Sequence, residues 1–566
     1  MFVKIIYLRN PLLILICIVF ILCGCAKIGA PTGGPKDEKP PKLIRAVPDN
    51  YSTNFDSKKI VLYFNEYVQL KSASQALIVS PPLKKKPTVV LKGKSVEVTI
   101  EDTLHTNTTY ALNFGSSIAD NNEGNPIDNF RYVLSTGSYI DSISLAGNII
   151  SGFDLKPDKE PFLIMLHSEI NDSAVYKTLP SFIGRSVADG SFAIENIREG
   201  SYKIFAVKDA NSNFKYDPYS EPVAFLDTLL VLNNPVRSDT DTVVKKRKPF
   251  LIPQMYFFSE NENKQFIKNS ERKDRRRLDV IFNLPLNEHF GYTGIADASK
   301  KFLLERNRTN DSISLWVLDS ALYASDSIRI NFLYFMPDSN KNKIDTVKFD
   351  YFNSEKTKKK KPKTEFNTVK FTPAGSTIDL FQDLRMLCDL PVVSFDTSKM
   401  IFSEIVDTIV TRKNFTILRD SLNSRLFSIR YSWLPETRYK LEVYPGAFTD
   451  YYNTGNDTSI LNVTAQKTEY YGNLILKINH VKSPLIIQMS EKALIKECFI
   501  DCDTTLRFPL MRPASYSFKA IYDSNSNRKW DTGNMKKKLQ PEKVSFYKEA
   551  VNVRSNWDIE MKWDME

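Results

Sequence analysis

Ile60-Val61-Leu62-Tyr63-Phe64-Asn65 is an apolar run with the composition of a β-strand, and it opens the pattern that decides the fold. Forty residues after Phe64 stands Leu104, and ten residues further Phe114 ends another such run. Apolar residues alternate with a period of two in that run and in the one before it, at Val96, Val98, Ile100, Tyr110 and Leu112. The stretch therefore predicts several short strands of one β-sandwich.

These internal distances occur twice more along the chain, once with a change of one residue. The corresponding landmarks are Phe282, Leu322 and Phe332 in a second copy, and Phe395, Leu434 and Tyr444 in a third. Each copy holds alternating strands within about 100 residues, which is the size of an immunoglobulin-like sandwich. The aromatic residues at shared strand positions are expected in the core rather than on a sugar-binding surface; in the first copy they are Tyr63, Phe64, Tyr110 and Phe114.

The first copy resembles the bacterial Ig-like domain, of the SbsA type, found near the N-terminus of Bacteroidota outer-membrane lipoproteins. The resemblance covers residues 41–140 and rests on the following segments: Pro40-Pro41, Phe64 to Val68, Leu104 to Tyr110, Asn113-Phe114-Gly115, Ile118 to Pro126, and Ser135-Thr136-Gly137. The second and third copies depart from this pattern after their closing strand. Their assignment as divergent Ig-like domains depends on the spacing.

A different repeat pairs SYKIFAVKDANSNFKYD at residues 201–217 with SYSFKAIYDSNSNRKWD at residues 515–531, and nine of the seventeen positions are identical. With the strands that precede it, the first copy is similar to the transthyretin-like fold of carboxypeptidase regulatory domains, a β-sandwich. The sequence thus predicts an all-β protein of tandem sandwich modules. The predicted bounds are 43–140 (Ig-like 1), 141–248 (transthyretin-like 1), 249–363 (Ig-like 2), 364–466 (Ig-like 3) and 467–566 (transthyretin-like 2).

Residues 1–24 are predicted to be a processing segment rather than part of the fold. Lys4 and Arg9 precede an apolar stretch from Pro11 to Leu22, which is short for a membrane-spanning helix. The following Leu22-Cys23-Gly24-Cys25 resembles the lipobox of bacterial lipoproteins. That resemblance implies cleavage before Cys25, a diacylglycerol thioether on its sulfur and an acyl chain such as palmitate on its new amine. A secretory signal without lipid and an N-terminal transmembrane anchor are the alternatives.

The lipobox resemblance places the protein on the outer membrane, on either its periplasmic or its cell-surface face. Residues 25–42 are rich in Gly, Pro and Lys and are predicted to be a flexible tether. The net charge of +11 is concentrated in lysine and arginine runs. These runs could contact anionic lipid or polysaccharide, or they could be solvated loops. No nucleic acid partner is expected for such a protein.

Cysteines and metal-ligand patterns limit the chemistry. After Cys25 only Cys388, Cys498 and Cys502 remain, so no disulfide scaffold is expected, and Cys498 could pair with Cys502 only across a turn. The repeated loop is the best candidate site, because oxygen side chains occupy its positions 1, 3, 5 and 9: Asp209, Asn211, Asn213 and Asp217, and again Asp523, Asn525, Asn527 and Asp531. Such spacing suits Ca²⁺, although Asp and Asn also build turns without metal. Neither copy has a Glu at position 12, because Glu221 comes one residue late and Glu542 lies far downstream.

The sequence favours a non-catalytic function. It contains no Gly-x-Ser-x-Gly motif and no Ser-x-x-Lys in a context that would make a lactamase-type site plausible, and its four histidines fall in different modules. We therefore expect an extended, lipid-anchored rod of sandwiches that serves as a structural or protein-binding subunit of an envelope complex, with an outer-membrane protein as its partner. A surface-exposed adhesive or glycan-binding lipoprotein is the alternative.

Overall fold

Apolar alternation along short segments produces a structure dominated by strands. The computed structural model describes residues 37–71, 77–233, 248–351 and 366–565. Strands make up 49% and helix 4%, which confirms the all-β prediction. The predicted signal peptide, the lipidation of Cys25 and most of the tether fall within residues 1–36, outside the described ranges. Within those ranges, no helix combines the length and the apolar character needed to cross a bilayer.

Module 1 is a sandwich with a four-stranded sheet in the order β1-β2-β6-β5, facing a sheet β4-β7-β9, with the pair β3-β8 beside them. Its core includes Phe64, Tyr110 and Phe114, as predicted, whereas Tyr63 points outward and is 36% exposed because neighbouring strand residues face opposite sides. The strands are β1 (Leu43–Val47), β2 (Lys59–Phe64), β3 (Val68–Leu70), β4 (Ile78–Ser80), β5 (Thr88–Lys92), β6 (Ser95–Thr99), β7 (Thr109–Gly115), β8 (Ile118–Asp120) and β9 (Phe130–Ser135).

Module 2 has one sheet in the order β12-β11-β14-β15, with β16 also on β14, and a second sheet β13-β10-β17, with β18 also on β10. Both β17 and β18 run parallel to β10. They lie after residue 248, where the sequence placed the end of this module, and we assign residues up to Phe258 to module 2. Its elements are β10 (Ile143–Ser151), β11 (Leu163–His167), α1 (Ala174–Lys177), β12 (Phe182–Arg185), β13 (Ser191–Ile197), β14 (Gly200–Val207), β15 (Val223–Phe225), β16 (Leu230–Leu232), β17 (Phe250–Leu251) and β18 (Met255–Phe257).

Module 3 repeats the two main sheets of module 1, as β19-β20-β23-β22 and β21-β24-β25. Strand β20 carries Phe282 where β2 carries Phe64, as the spacing predicted. The elements are β19 (Ile267–Asp274), β20 (Arg277–Phe282), β21 (Gly291–Thr293), α2 (Ala298–Lys301), β22 (Phe302–Arg306), β23 (Ser312–Val317), α3 (Ser320–Ala324), β24 (Ser327–Met336) and β25 (Lys341–Asp350).

Module 4 has the sheets β26-β28-β33-β32 and β27-β36-β34-β30-β31, together with the pair β29-β35. The strand register shows that the predicted repeat is wrong for this module, where Phe395 was expected at the position of Phe64. Cys388 on β28 holds that position instead, because it pairs with Val369 of the first strand as Phe64 pairs with Leu43 in module 1. Phe395 belongs to the next strand. The elements are β26 (Val369–Thr372), β27 (Thr377–Ile378), β28 (Leu384–Cys388), β29 (Val392–Phe395), a 3₁₀ turn (Thr397–Lys399), β30 (Met400–Val406), β31 (Ile409–Arg412), β32 (Ile417–Arg419), β33 (Leu426–Ile429), β34 (Arg438–Val443), β35 (Phe448–Asp450) and β36 (Ser459–Ala465).

Module 5 has the topology of module 2, which agrees with the sequence repeat. One sheet is β39-β38-β41-β42, with β43 also on β41, and the other is β40-β37-β44, with β44 parallel to β37. Strand β44 takes the place of β17 and β18, so modules 2 and 5 both end with strand residues that run parallel to the first strand of the module. The elements are a 3₁₀ turn (Thr468–Tyr470), β37 (Gly472–Asn479), β38 (Leu485–Ser490), β39 (Leu494–Ile500), β40 (Thr504–Met511), β41 (Ala514–Tyr522), β42 (Val544–Phe546), β43 (Val551–Val553) and β44 (Asp558–Asp564).

The modules do not form the simple extended rod that the sequence suggested. Consecutive modules contact one another, as when Arg425 of module 4 pairs with the buried Glu305 of module 3 at 3.1 Å. Module 5 contacts module 4 through Tyr471, whose hydroxyl donates to Asp379 at 2.7 Å. Module 5 also packs against module 2, so the chain folds back on itself and brings its two similar modules together.

Candidate functional site

The repeated Asp-Asn loop of module 2 directly follows β14. Both carboxylate oxygens of Asp209 accept backbone N–H groups, from Asn213 at 3.1 Å and from Phe214 at 2.9 Å. Phe214 has φ of 58°, a left-handed conformation that a loop of this kind usually assigns to glycine. The first carboxylate of the loop thus holds the chain in a tight turn.

The remaining oxygens of this loop face one another. One carboxylate oxygen of Asp217 accepts the side-chain amides of Asn211 at 2.6 Å and of Asn213 at 2.9 Å. The buried Glu221 closes the loop by accepting the N–H groups of Ala210 and Asp217 at 2.9 and 3.0 Å. Burial, together with the nearby charges of Asp209 and Asp217, raises the pKa of Glu221, and its backbone hydrogen bonds only partly offset this.

The loop of module 5 has the same hydrogen bonds. Asp523 accepts the N–H groups of Asn527 at 3.0 Å and of Arg528 at 2.8 Å, and Arg528 has φ of 63°. Asp531 accepts the side-chain amides of Asn525 and Asn527. The eight predicted site residues therefore form two matching groups of four rather than one site.

Glu542 is the residue that sequence reasoning dismissed. It accepts the N–H groups of Ser524 at 2.8 Å and of Asp531 at 3.0 Å, which is the role of Glu221 in module 2. Ten residues lie between Asp531 and Glu542, against three between Asp217 and Glu221, so module 5 carries an insertion of seven residues there. The insertion hid the correspondence, and an alignment of the two repeats beyond residue 531 would have shown it.

The side chains of each loop carry carboxylate and amide oxygens, which are the ligand atoms that Ca²⁺ prefers. The described residues contain no group of three or more His, Cys, Asp and Glu side chains placed for a metal ion, so amide oxygens would have to complete the site. In module 2 each loop amide lies beside Asp217, while both oxygens of Asp209 and of Glu221 already accept backbone N–H groups, and a hard cation takes six to eight oxygens. The amide nitrogens of Asn211 and Asn213 now face Asp217, and rotating each amide by half a turn would present its oxygen instead. The rotation would break the hydrogen bonds that these two oxygens accept from the N–H groups of Asn213 and Lys215.

The segment between Asp531 and Glu542, which contains the insertion, attaches module 5 to module 2. We name this segment, residues 532–541, the clasp. Met535 on the clasp is buried in an apolar cluster otherwise formed mainly by module 2, and its N–H donates to the buried Glu260 at 2.7 Å. The same carboxylate accepts the hydroxyl of Tyr216 at 2.8 Å. Gly533 lies so close to Phe258 that a Cβ there would come within 2.5 Å of the ring.

A second contact between these modules buries a lysine. Lys519 on β41 is 7% exposed, and its ammonium lies 2.9 Å from the centre of the Phe153 ring of module 2. Its Nζ has no hydrogen-bond partner among the described residues. Burial lowers the pKa of Lys519 to about 8, partly offset by the charge of Asp154. In the module 2 repeat, the apolar Phe205 holds this position.

The other residues singled out from sequence do not converge on either loop. Cys388 is buried in module 4, and Cys498 and Cys502 are unbonded thiols in module 5. His167 is buried in module 2 beside Phe205, whereas His105, His289 and His480 belong to modules 1, 3 and 5. The fold therefore defines a class of protein, a tandem array of β-sandwiches with two hydrogen-bonded Asp-Asn loops.

Comparison with known families identifies the first module. Residues 37–136 match the family model described as a bacterial Ig-like domain, which confirms the predicted Ig-like domain of module 1. No curated protein matches the sequence.

Three solved structures match the chain at low sequence identity. The S-layer protein rSbsC(31-844) is 10% identical with a TM-score of 0.14, and the match covers 90% of this chain and 67% of that one. The major pilin subunit of Bacillus cereus is 8% identical with a TM-score of 0.16, over 74% of this chain and 99% of that one. The Corynebacterium diphtheriae major pilin SpaA is 9% identical with a TM-score of 0.15, over 75% and 99%.

Proposed function

We propose that the protein is a non-catalytic outer-membrane lipoprotein, anchored through Cys25, that serves as a scaffold or protein-binding subunit of an envelope complex. The observation that carries this proposal is that buried side chains of the described modules form hydrogen bonds between modules. Two of their buried carboxylates join sandwiches to one another: Glu305 accepts a hydrogen bond from Arg425 of module 4, and Glu260 accepts one from the N–H of Met535 in module 5. An array whose modules are joined by such buried hydrogen bonds is suited to holding partners at fixed positions.

The anchor and the partner require separate tests. Replacing Cys25 with Ala should release the protein from the membrane fraction, and retention of this variant there would contradict the anchor. After mild detergent extraction, the wild-type lipoprotein should co-purify with a membrane β-barrel protein. A crosslinked pull-down that recovers no such protein would contradict the scaffold role.

We also propose Ca²⁺ as a ligand of the two Asp-Asn loops. The support is the repetition of one oxygen-rich geometry in two modules, including the third carboxylate at Glu221 and Glu542. A hydrogen-bonded turn without metal is the alternative, because each network is complete as it stands. The two are distinguished by melting the protein in Ca²⁺ and in chelator.

Exposed aromatic residues on module 1 favour a second function, adhesion to glycans. Tyr63 and Tyr67 are 36% and 61% exposed, and the guanidinium of Arg45 and the ammonium of Lys94 lie over their rings at 4.8 and 5.3 Å. Exposed rings beside polar groups can stack on sugars. Retention on a polysaccharide column that is lost on replacing both tyrosines with Ala would support this function. Complete protection from protease on intact cells would exclude a surface adhesin.

A further inference from the structure

The outer edge of strand β39 in module 5 is open. Strand β39 lies at the end of its sheet and pairs only with β38 in the part of the chain that the structure describes. Two large apolar residues on this strand, Ile495 and Phe499, are 51% and 46% exposed. They flank Glu497 at a spacing of two, so all three point to the same side of the sheet. The unpaired outer edge of a strand, with exposed apolar side chains beside it, is a site where a strand of another protein can add to the sheet.

The repeat identifies the corresponding strand in module 2. Aligning Ser201 with Ser515 places Val207 at Ile521. In module 2, Leu163 on the central strand is the register partner of both Val207 and Arg185, the latter on β12. In module 5, Ile486 is likewise the register partner of both Ile521 and Phe499, the latter on β39. Strand β12 is therefore the counterpart of β39.

Two residues earlier along these strands, the same register places Ile183 of β12 at the position of Glu497. The N–H of Ile183 points away from β11, toward the outer edge of the sheet, because it donates to module 1. By the shared register, the N–H of Glu497 points to the open edge of module 5.

In module 2 this edge is covered, and the structure shows what covers it. The N–H of Ile183 donates to the hydroxyl of Ser80 at 2.9 Å, and Ser80 lies on β4, the edge strand of the Ig-like module 1. Ile78 of the same strand packs into the apolar cluster that contains Ile183. As a result Ile183 is 3% exposed. One copy of the repeated module thus has an Ig-like edge strand against the edge that the other copy leaves open.

We propose that the outer edge of β39 binds the edge strand of an Ig-like sandwich in a separate protein. The partner strand would place a hydroxyl or carbonyl oxygen against the N–H of Glu497 and apolar side chains against Ile495 and Phe499. A second copy of this chain does not supply the equivalent strand, because its β4 already lies against its own β12. The inference rests on the proposed scaffold function and names the surface that performs it.

Photo-crosslinking from the edge tests the proposal in the full lipoprotein on its own membrane. A benzophenone amino acid in place of Ile495 should react with one extended segment of a partner, identified by sequencing the crosslinked peptide. The matched control carries the same group at Ile344 on module 3, which is 62% exposed. Glu497→Pro removes the outward N–H while leaving the bonds to β38, and it should reduce recovered partner at least tenfold. Glu497→Ala keeps the N–H and should retain the partner.

The outcomes separate this proposal from the function on which it rests. If the wild-type protein recovers a membrane partner and Glu497→Pro recovers it equally well, the edge proposal is wrong and the scaffold role stands. Crosslinks to a second copy, or equal crosslinking from positions 495 and 344, would also overturn it. If the wild-type protein recovers no partner, both proposals fail. Should Glu497→Pro lower the melting temperature, Ile495→Asp replaces it, because that exposed side chain is not needed for folding.

Discussion

At the scale of single residues, His167 makes module 2 sensitive to acid. Its ring is 1% exposed, its Nε2 has no hydrogen-bond partner among the described residues, and burial lowers its pKa from 6.5 to about 4. The native state therefore holds the neutral ring while the unfolded chain takes up a proton below pH 6.5. This contribution to stability is present above pH 6.5 and is lost as the pH falls toward 4, by roughly 3 kcal/mol in total.

His167→Leu should remove this acid sensitivity. Calorimetry of the full chain at pH 7 and pH 5 should show one transition of the wild type moving to lower temperature, and that transition should move less in the variant. His289→Leu, at an exposed position of module 3, is the control and should keep the wild-type response. Equal shifts for the wild type and His167→Leu would contradict the assignment to His167.

Lys519 should be a destabilising residue at neutral pH. Burial lowers its pKa from 10.5 to about 8, so the ammonium is charged at pH 7, and it has no hydrogen-bond partner in the described part of the chain. The Phe153 ring offsets part of this cost. Because the folded state prefers the neutral amine, this residue should cost least above pH 10.5, and its cost should grow as the pH falls toward 8. Lys519→Met should therefore stabilise the protein at pH 7, by roughly 1 to 3 kcal/mol.

The measurement for Lys519 is the melting temperature at pH 7 and pH 9.5. The variant should melt higher than the wild type at pH 7, and the difference should shrink at pH 9.5 as the wild-type amine loses its proton. Lys482→Met, at an exposed position of the same module, should leave both values unchanged. A lower melting temperature for Lys519→Met at pH 7 would show that the contact with Phe153 outweighs the burial of the charge.

At the scale of elements, the two Asp-Asn loops give a prediction about Ca²⁺. Millimolar Ca²⁺ should raise the melting temperature over that in chelator, because a ligand at about 100 times its dissociation constant adds about 2.7 kcal/mol to the stability of the state that binds it. Asp217→Ala combined with Asp531→Ala should abolish the rise. Asp457→Ala, at an exposed position of module 4, is the control. Identical melting in Ca²⁺ and chelator would leave the loops as turns held by hydrogen bonds alone.

Strands could be predicted from the sequence wherever the local spacing of apolar residues was unambiguous. The spacing from Phe64 to Phe114 identified strands of module 1, and it transferred correctly to Phe282 in module 3. It transferred wrongly to Phe395 because two apolar strands, β28 and β29, follow each other within twelve residues, and periodicity alone does not rank them. The hydrogen bond from the N–H of Leu434 to the hydroxyl of Tyr439 fixes the true register, since His105 donates to Tyr110 in the same way.

At the scale of the whole molecule, the packing of module 5 on module 2 could not be predicted from sequence. The contacts join residues about 300 positions apart, such as the hydroxyl of Thr532 and the carbonyl of Ser259 at 2.8 Å. Nothing in the composition of the clasp distinguishes it from a solvated loop, because its lysines Lys536, Lys537 and Lys538 form one of the charge runs. Of these, Lys538 pairs with Asp172 of module 2 at 2.8 Å. The candidate site differs in this respect, because a longer alignment of the two repeats would have identified Glu542 as the counterpart of Glu221.

The clasp should control whether modules 2 and 5 stay together. Met535 is 6% exposed and lies among apolar residues of module 2, so Met535→Asp places a carboxylate in that cluster beside the buried Glu260. Losing the side chain alone costs roughly 2 to 5 kcal/mol, and burying a second charge adds to this. Met535 lies outside the strands of every sandwich, so the substitution removes a contact between modules rather than a strand pairing. We therefore expect module 5 to separate from module 2 while every sandwich remains folded.

Small-angle scattering should then show a larger radius of gyration and maximum dimension for Met535→Asp than for the wild type, with an unchanged circular dichroism spectrum. Leu539→Asp is the matched control, because it places the same charge on the same segment at a side chain that is 54% exposed. It should leave the scattering curve as it is. Identical curves for Met535→Asp and the wild type would mean that the contacts around Phe153 and Lys519 suffice to hold the two modules together without the clasp.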